Sequence, residues 1–234
     1  MESIKNVAGT FGRKKKDAKE TVSTAVIRRL PRYHRCLGDL IKEGRLRISS
    51  AELAKTMDLT ASQIRQDLNC FGGFGQQGYG YNIKFLHGKI SELLGANEGF
   101  NAVIIGSGNL GRALAATHMF ERRGVNRLAM FDIDPAIIGT SIYGIPVHSI
   151  SDLKEFCINN NVHIGVLTVP KEAAREIVDI IVSAGVRGIW NFANTEIRLD
   201  HPEVIVENIH LGDSLMALCY EIKATNQKKE KDNV

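Results

Sequence analysis

The chain has 234 residues, 44% hydrophobic and 24% charged, an ordinary globular composition with a formal net charge of +4. No apolar run approaches the roughly 18 residues a membrane span needs, and the basic N-terminus lacks an apolar signal core, so a cytoplasmic location is expected. Four cysteines, Cys36, Cys70, Cys157 and Cys219, lie far apart with no C-x-x-C pair; this argues against a disulfide framework or a zinc site, and no metal is expected.

The charge is unevenly spread. Residues 1–48 hold 13 Lys/Arg against 5 Asp/Glu, a local net of +8, and the remainder carries a net of −4. A basic end on a mildly acidic body suggests an anionic partner there, nucleic acid being the commonest. Residues 1–22 show no apolar periodicity and are expected to form a basic flexible arm.

A winged-helix DNA-binding domain is expected over 23–83. Leu30, Tyr33, Leu37, Leu40 and Ile41 recur at three- and four-residue spacing, the stripe of an amphipathic helix. Pro31 is expected as its first helical residue, and Gly44 closes it. "SSAE" from Ser49 and "TASQ" from Thr60 read as two capping boxes, which start two short helices about three residues apart. That is the spacing of a helix-turn-helix, although an ordinary helical hairpin shares it. The second helix favours a reader. Ala61, Ile64, Leu68 and Phe71 form an inward face, whereas Ser62, Arg65, Gln66 and Asn69 form an outward one, with Gln63 beside them. Arg, Gln and Asn make bidentate contacts with base edges in the major groove.

Two stretches match G-x-G-x-x-G. "GFGQQG", Gly73 to Gly78, follows a helix and precedes "YGY", so it lacks the strand and helix that a dinucleotide fingerprint needs. It reads as a tight hairpin, the wing, with Phe74, Gln76, Gln77 and Tyr79 as candidate DNA contacts. A linker helix is expected over 84–96.

"GSGNLG", Gly106 to Gly111, follows the apolar strand "FNAVIIG" and opens a helix expected to run to Gly124. Gly106 suits the tight turn, Gly108 the approach of a pyrophosphate, and Gly111 the packing of helix on strand, with Ser107, Asn109 and Leu110 completing the cradle. Asp132 ends the next strand 21 residues past Gly111, where a carboxylate accepts from an adenosine ribose and repels a 2′-phosphate. Asp134 is a nearby competitor for that role. Further βα units follow, so a Rossmann domain is expected over 97–209. "TVP" (Thr168, Val169, Pro170) and "NFA" (Asn191, Phe192, Ala193) end strands and are candidate nicotinamide-side contacts, with ordinary loop residues as the equal alternative. A helix over 210–225 lines up Leu211, Leu215, Leu218, Cys219 and Ile222, and 226–234 reads as a disordered tail.

The blocks "RLPRYHRCL", "RISSAEL", "IRQDLNCFGGFGQQGYGYNI", "IIGSGNLGRALA", "FDIDP", "LTVP" and "NFA" together resemble the Rex family of bacterial redox-sensing transcriptional repressors. The resemblance implies an α/β chain with an N-terminal winged helix-turn-helix, a parallel doubly wound Rossmann domain and a C-terminal helix exchanged within a homodimer. It implies NAD(H) as the ligand and double-stranded operator DNA as the partner, with release when NADH binds. Two departures stand out: Gln66 where relatives commonly carry Lys, and Gln76–Gln77 where a basic pair is frequent in the wing. Against a dehydrogenase, no Tyr-x-x-x-Lys occurs and no second domain is large enough for a separate substrate site. His118, His148, His163 and His210 remain the conceivable acid–base groups of that alternative. A repressor sensing another nucleotide is the third reading.

Overall fold

A computed structural model describes residues 22–72, 75–76 and 79–232, with side chains described outside 73–78 and 228–234. The expected arm over 1–22 therefore lies almost wholly outside the described residues. The chain forms two compact units that divide between Leu94 and Gly95.

The first unit opens with α1 (Thr24–Lys42), capped by the Ser23 hydroxyl on Val26 N. Pro31 accordingly sits inside this helix rather than at its start. It is tolerated on the exposed side, because Leu30, Tyr33 and Leu37 bury the opposite stripe. After β1 (Arg47–Ile48), α2 (Ser50–Met57) starts on a complete capping box from Ser49 and Glu52. Two backbone and hydroxyl bonds from Ser49, then the Arg45 guanidinium, bring the Glu52 carboxyl down to about 2. Helix α3 (Ala61–Asn69) starts on Thr60, whose hydroxyl accepts from Gln63 N. Here the box is half made: the Gln63 amide turns inward to Asp67 instead.

The wing is real at the backbone level. Strands β2 (Gly75–Gln76) and β3 (Gly80–Asn82) pair antiparallel, and β3 also pairs with β1, giving the order β1-β3-β2. The segment expected to link the domains is instead a core element. Helix α4 (Ile83–Leu93) buries Ile83, Leu86 and Ile90 fully among Leu37, Leu53, Ile64 and Leu68. Its apolar stripe requires cover, and α1 supplies it.

The second unit carries a seven-stranded sheet of order β10-β9-β8-β4-β5-β7-β6. Its members are β4 (Phe100–Ile105), β5 (Val125–Asp132), β6 (Ser141–Ile142), β7 (Ile145–Ser149), β8 (Ile164–Leu167), β9 (Gly188–Asn191) and β10 (Ile205–Asn208). All pair in parallel except β6 with β7. The hairpin β6–β7 and the edge strand β10 have no counterpart in the sequence reading, being short and interrupted by Gly144, Pro146 or charge. Along β4, Val103 and Ile105 face α6 (Leu153–Asn159) and α7 (Lys171–Ser183), and Ile104 faces the opposite core with Ala115. That Ala115 belongs to α5 (Asn109–Ala116), which ends well before Gly124 because Thr117 turns extended at φ −86, ψ 146. A 3-10 turn, Glu121–Arg123, then leads to Gly124. Helix α8 (Leu211–Asp232) continues through the segment expected to be a disordered tail. Nearly all its described side chains are exposed.

The strongest single constraint in the first unit is Asp67, which is fully buried. Arg29 grips it bidentately at 2.6 and 2.8 Å, and the Tyr33 hydroxyl and Gln63 amide each donate at 2.8 Å. Burial pushes this carboxyl up, but those donors outweigh it and hold the group below the usual carboxylate range. Asp67→Asn keeps the shape and strips Arg29 of its counter-charge. The expected cost is about 3 kcal/mol of winged-helix stability, read as a lower denaturant midpoint; an unaltered midpoint refutes the assignment. A carboxyl with a depressed folded pKa stabilises above its unfolded value, near ~3.9, and loses that contribution as pH falls through the folded one. The wild type should therefore shed this increment only below about pH 4, whereas Asp67→Asn lacks it at every pH.

Candidate functional site

The chain reverses direction across the sheet between β4 and β8, and ligands in such folds bind at carboxyl strand ends beside that reversal. Here the end of β4 meets the end of β8. Gly106 turns at φ +98, and its Cβ would lie 2.7 Å from Thr168 O. The Thr168 hydroxyl donates to Gly106 O at 2.7 Å and also lies 3.0 Å from Ile105 O. A Cβ on Gly111 would sit 2.0 Å from Gly106 O, so α5 can approach the turn only with glycine there. Gly108 differs from both. A Cβ there meets nothing within 4 Å, and the start of α5 that it caps has no side-chain partner. Beside it the Ser107 hydroxyl is buried next to the Asp132 carboxylate. An open cradle and a helix start without a side-chain cap fit a bound phosphate group.

Asp132 closes the other side. It accepts from Ser107 N at 2.5 Å, Ile133 N at 2.8 Å and Asp134 N at 3.0 Å. Burial pushes its carboxyl up, and these backbone donors more than reverse that, keeping it ionised below the ordinary range. Asp134 is exposed and is spent on Ala136 N at 2.9 Å, the start of a local turn. A cleft of about 450 Å³ runs between these groups, walled by Phe131, Ile133, Ile150, Val169, Pro170 and Ile177, with Asp132 its charged residue.

Of the sequence candidates, Gly106, Gly108, Asp132, Thr168, Val169 and Pro170 line this cleft. Ser107, Asn109, Leu110 and Gly111 build the turn and first helical turn behind it. The "NFA" residues do not line it. Asn191 is fully buried, donating to Thr195 O and Asn208 Oδ1 and accepting from Ala193 N. Ala193 is buried in the core, and Phe192 packs edge-on against Trp190 at 4.6 Å. Ile133 was missed: it follows Asp132 and is 79% exposed at the cleft. An isoleucine immediately after the strand-ending acid was the available signal.

On α3, Ser62, Arg65, Gln66 and Asn69 are exposed together, and Gln63 is turned in toward Asp67. Arg65 reaches Ser50 Oγ at 3.1 Å, across the turn. Tyr79 is exposed at the root of the wing. Gln76 lies in β2 by its backbone, while Phe74 and Gln77 lie outside the described residues. Among the described residues, no group of three or more His, Cys, Asp or Glu could hold a metal, and no helix is long and apolar enough to cross a membrane.

Fold and sites thus define a winged-helix protein with a Rossmann-type nucleotide domain on the same chain. Two family models divide it the same way: residues 21–69 match the putative DNA-binding protein N-terminus, and 97–195 match the CoA binding domain. The redox-sensing transcriptional repressor Rex of Caldanaerobacter subterraneus subsp. tengcongensis is 48% identical over 204 residues, covering 87% of this chain and 91% of that one. Its namesake in Caldicellulosiruptor bescii is 49% identical over 213 residues, covering 91% and 98%. The crystal structure of RSP with β-NAD+ and operator DNA matches with a TM-score of 0.83 at 45% identity, over 91% of this chain and 97% of that one. The RSP complex with β-NADH gives 0.83 at 43%, over 90% and 98%. The chain belongs to the Rex family.

The two inner glycines make separable predictions. Gly111→Ala forces α5 off the turn and is expected to cost about 1–3 kcal/mol through overpacking. Gly108→Ala should leave the melting temperature of the ligand-free protein unchanged while filling the cradle. Calorimetric titration with NADH should then show more than a tenfold loss of affinity in Gly108→Ala; full retention would disprove the cradle.

Proposed function

We propose that this protein is a DNA-binding transcriptional repressor that senses the balance of NADH and NAD+, releasing its operator when NADH binds. The observation that carries the reading is the pairing, on one chain, of a glycine cradle with a locked strand-end carboxylate and a helix-turn-helix with an exposed Arg-Gln-Asn face. Gly106, Gly108 and the first turn of α5 would hold the pyrophosphate, and Asp132 the adenosine ribose. Bound there, the nicotinamide supplies the signal as a difference of one charge between its two redox states. The walls of the cleft read that charge. Val169, Pro170 and Ile177 offer no counter-ion, so a cationic ring loses hydration there that a neutral ring does not need. A ligand that favours one arrangement of a dimer weakens DNA binding by its differential affinity, because two half-sites one turn apart require readers about 34 Å apart.

The described domain also favours NAD(H) over coenzyme A. Coenzyme A carries a phosphate on the adenosine ribose, where the fixed Asp132 charge repels it. A mobility-shift titration on a palindromic operator, with NAD+, NADH and coenzyme A added separately, tests the reading. Release is expected with NADH alone. Equal release by NAD+ would end the redox reading, and release by coenzyme A would reassign the ligand. An operator as partner implies work in the cytoplasm.

The functional unit in this reading is a homodimer held by α8. Leu211, Leu215, Leu218 and Ile222 form one apolar stripe, each more than half exposed. The second unit leaves a complementary groove of about 470 Å³ on its sheet, lined by Met119, Phe120, Ile164, Trp190 and Ile205 among others. A second copy's α8 would cover it. The double variant Leu215→Asp, Leu218→Asp should sediment as a monomer and lose operator binding with its NADH affinity per chain less affected; a stable dimer would exclude this interface.

A further inference from the structure

Three arginines surround the junction of β1, α2 and α3, and they are not equivalent. Arg45 is neutralised by Glu52 at 2.7 Å. Arg65 lies on the exposed face of α3 and donates to the Ser50 hydroxyl. Arg47 has no carboxylate partner among the described residues, yet it is held. Its Nη1 donates to Tyr79 O at 3.3 Å, and its guanidinium carbon stands 5.9 Å from the centre of the Tyr79 ring. A cation over an aromatic face within about 6 Å is attracted by the ring quadrupole.

The strand register sets where this cation points. Ile48 is buried and pairs with Tyr81, so Arg47, paired with Asn82, occupies the outer face of the three-stranded sheet. Tyr79 is exposed at the root of the β2–β3 hairpin. The pair therefore joins β1 to the wing on its solvent side. One guanidinium donor is spent on a neutral carbonyl, which leaves most of the planar fork unspent and its charge uncompensated. An arginine with a fixed fork, no counter-ion and an exposed position is suited to a phosphate oxygen.

We propose that Arg47, aimed by Tyr79, grips the duplex phosphate backbone beside the α3 reading face and carries no base preference of its own. The assignment rests on the DNA-binding reading above and adds a residue that the pattern of α3 and the wing does not contain. It also accounts for charge. Gln66, Gln76 and Gln77 are neutral, and β1 adds a cation beside them.

Salt dependence of DNA affinity tests the assignment, because each phosphate contact contributes a slope of about 0.9 in log K against log salt. The protein would be titrated, full length, onto a duplex selected by the wild type from a random pool and onto an unrelated duplex. Arg47→Ala should lower the slope by about 0.9 and weaken both duplexes by about fivefold at 0.15 M salt. Arg47→Lys should keep the slope, since the charge remains. Tyr79→Ala, which removes the ring beneath the guanidinium but keeps the carbonyl, should weaken both duplexes, less than Arg47→Ala, without changing the melting temperature. If Arg47 merely braces the wing, Arg47→Ala leaves the slope unchanged or weakens the selected duplex alone, and the proposal is overturned. If the wild type binds neither duplex, the DNA-binding reading fails and takes this assignment with it; if only Arg47→Ala behaves like the wild type, the reading stands and the assignment fails.

Discussion

A carboxylate with no exposed surface, Asp67, sets the orientation of α3. Its three partners come from two elements: Arg29 and Tyr33 on α1, and Gln63 one turn earlier on α3 itself. Apolar packing by Ile64 and Leu68 presses α3 against the unit but leaves it free to slide and roll, since hydrophobic attraction is not directional. The bidentate Arg29 fork removes that freedom. Its planar geometry fixes the rotation of α3 about its own axis, and hence which side chains stand outside. Ser62, Arg65, Gln66 and Asn69 are exposed together because Asp67 is pinned inside.

The second unit uses the same device with different donors. Asp132 is held mainly by backbone N–H groups, one of them from Ser107 in the glycine turn. This bond fastens the end of β5 to the loop after β4, and Thr168 fastens the end of β8 to the same loop from the other side. The turn is thus held between two strand ends before any ligand arrives. Preorganisation of this kind spares the ligand the entropy of ordering its own cradle. It also gives Asp132 a double role: the groups that fix the loop are those that keep the carboxylate charged.

The sequence disclosed what depends on local spacing and hid what depends on distant partners. Both helix starts at Ser49 and Thr60 were legible, because a cap is a relation over three residues. The glycine turn was legible for the same reason, and the strand-end position of Asp132 followed from the apolar run that it closes. Asp67 was not, since its partners Arg29 and Tyr33 lie 38 and 34 residues away. Gln63 was assigned to a capping box and to DNA on its spacing, whereas a buried carboxylate four residues on claimed its amide. Asn191 looked like a ligand contact from its place at a strand end, but Asn208 on the neighbouring edge strand β10 consumes its side chain. That strand was invisible to the reading, and so was the bond. Pro31 misled in the other direction: a breaker was given more weight than the apolar stripe on both sides of it.

The two G-x-G-x-x-G stretches carry this point to its limit. Their letters agree at every required position, and the elements that flank them differ. In Gly106 to Gly111 the preceding strand brings the chain to a sheet reversal, the glycines resolve contacts as short as 2.0 Å, and a helix begins with unpaired N–H groups. In Gly73 to Gly78 the preceding element is the end of α3, and the following one is β3, which turns back to pair with Gly75 and Gln76. In the first, crowding demands glycine at Gly106 and Gly111 but not at Gly108. A glycine motif reports only that the backbone must do something side chains forbid. The elements on either side determine which constraint applies: a strand before and a helix after in one case, and a helix before and a pairing strand after in the other.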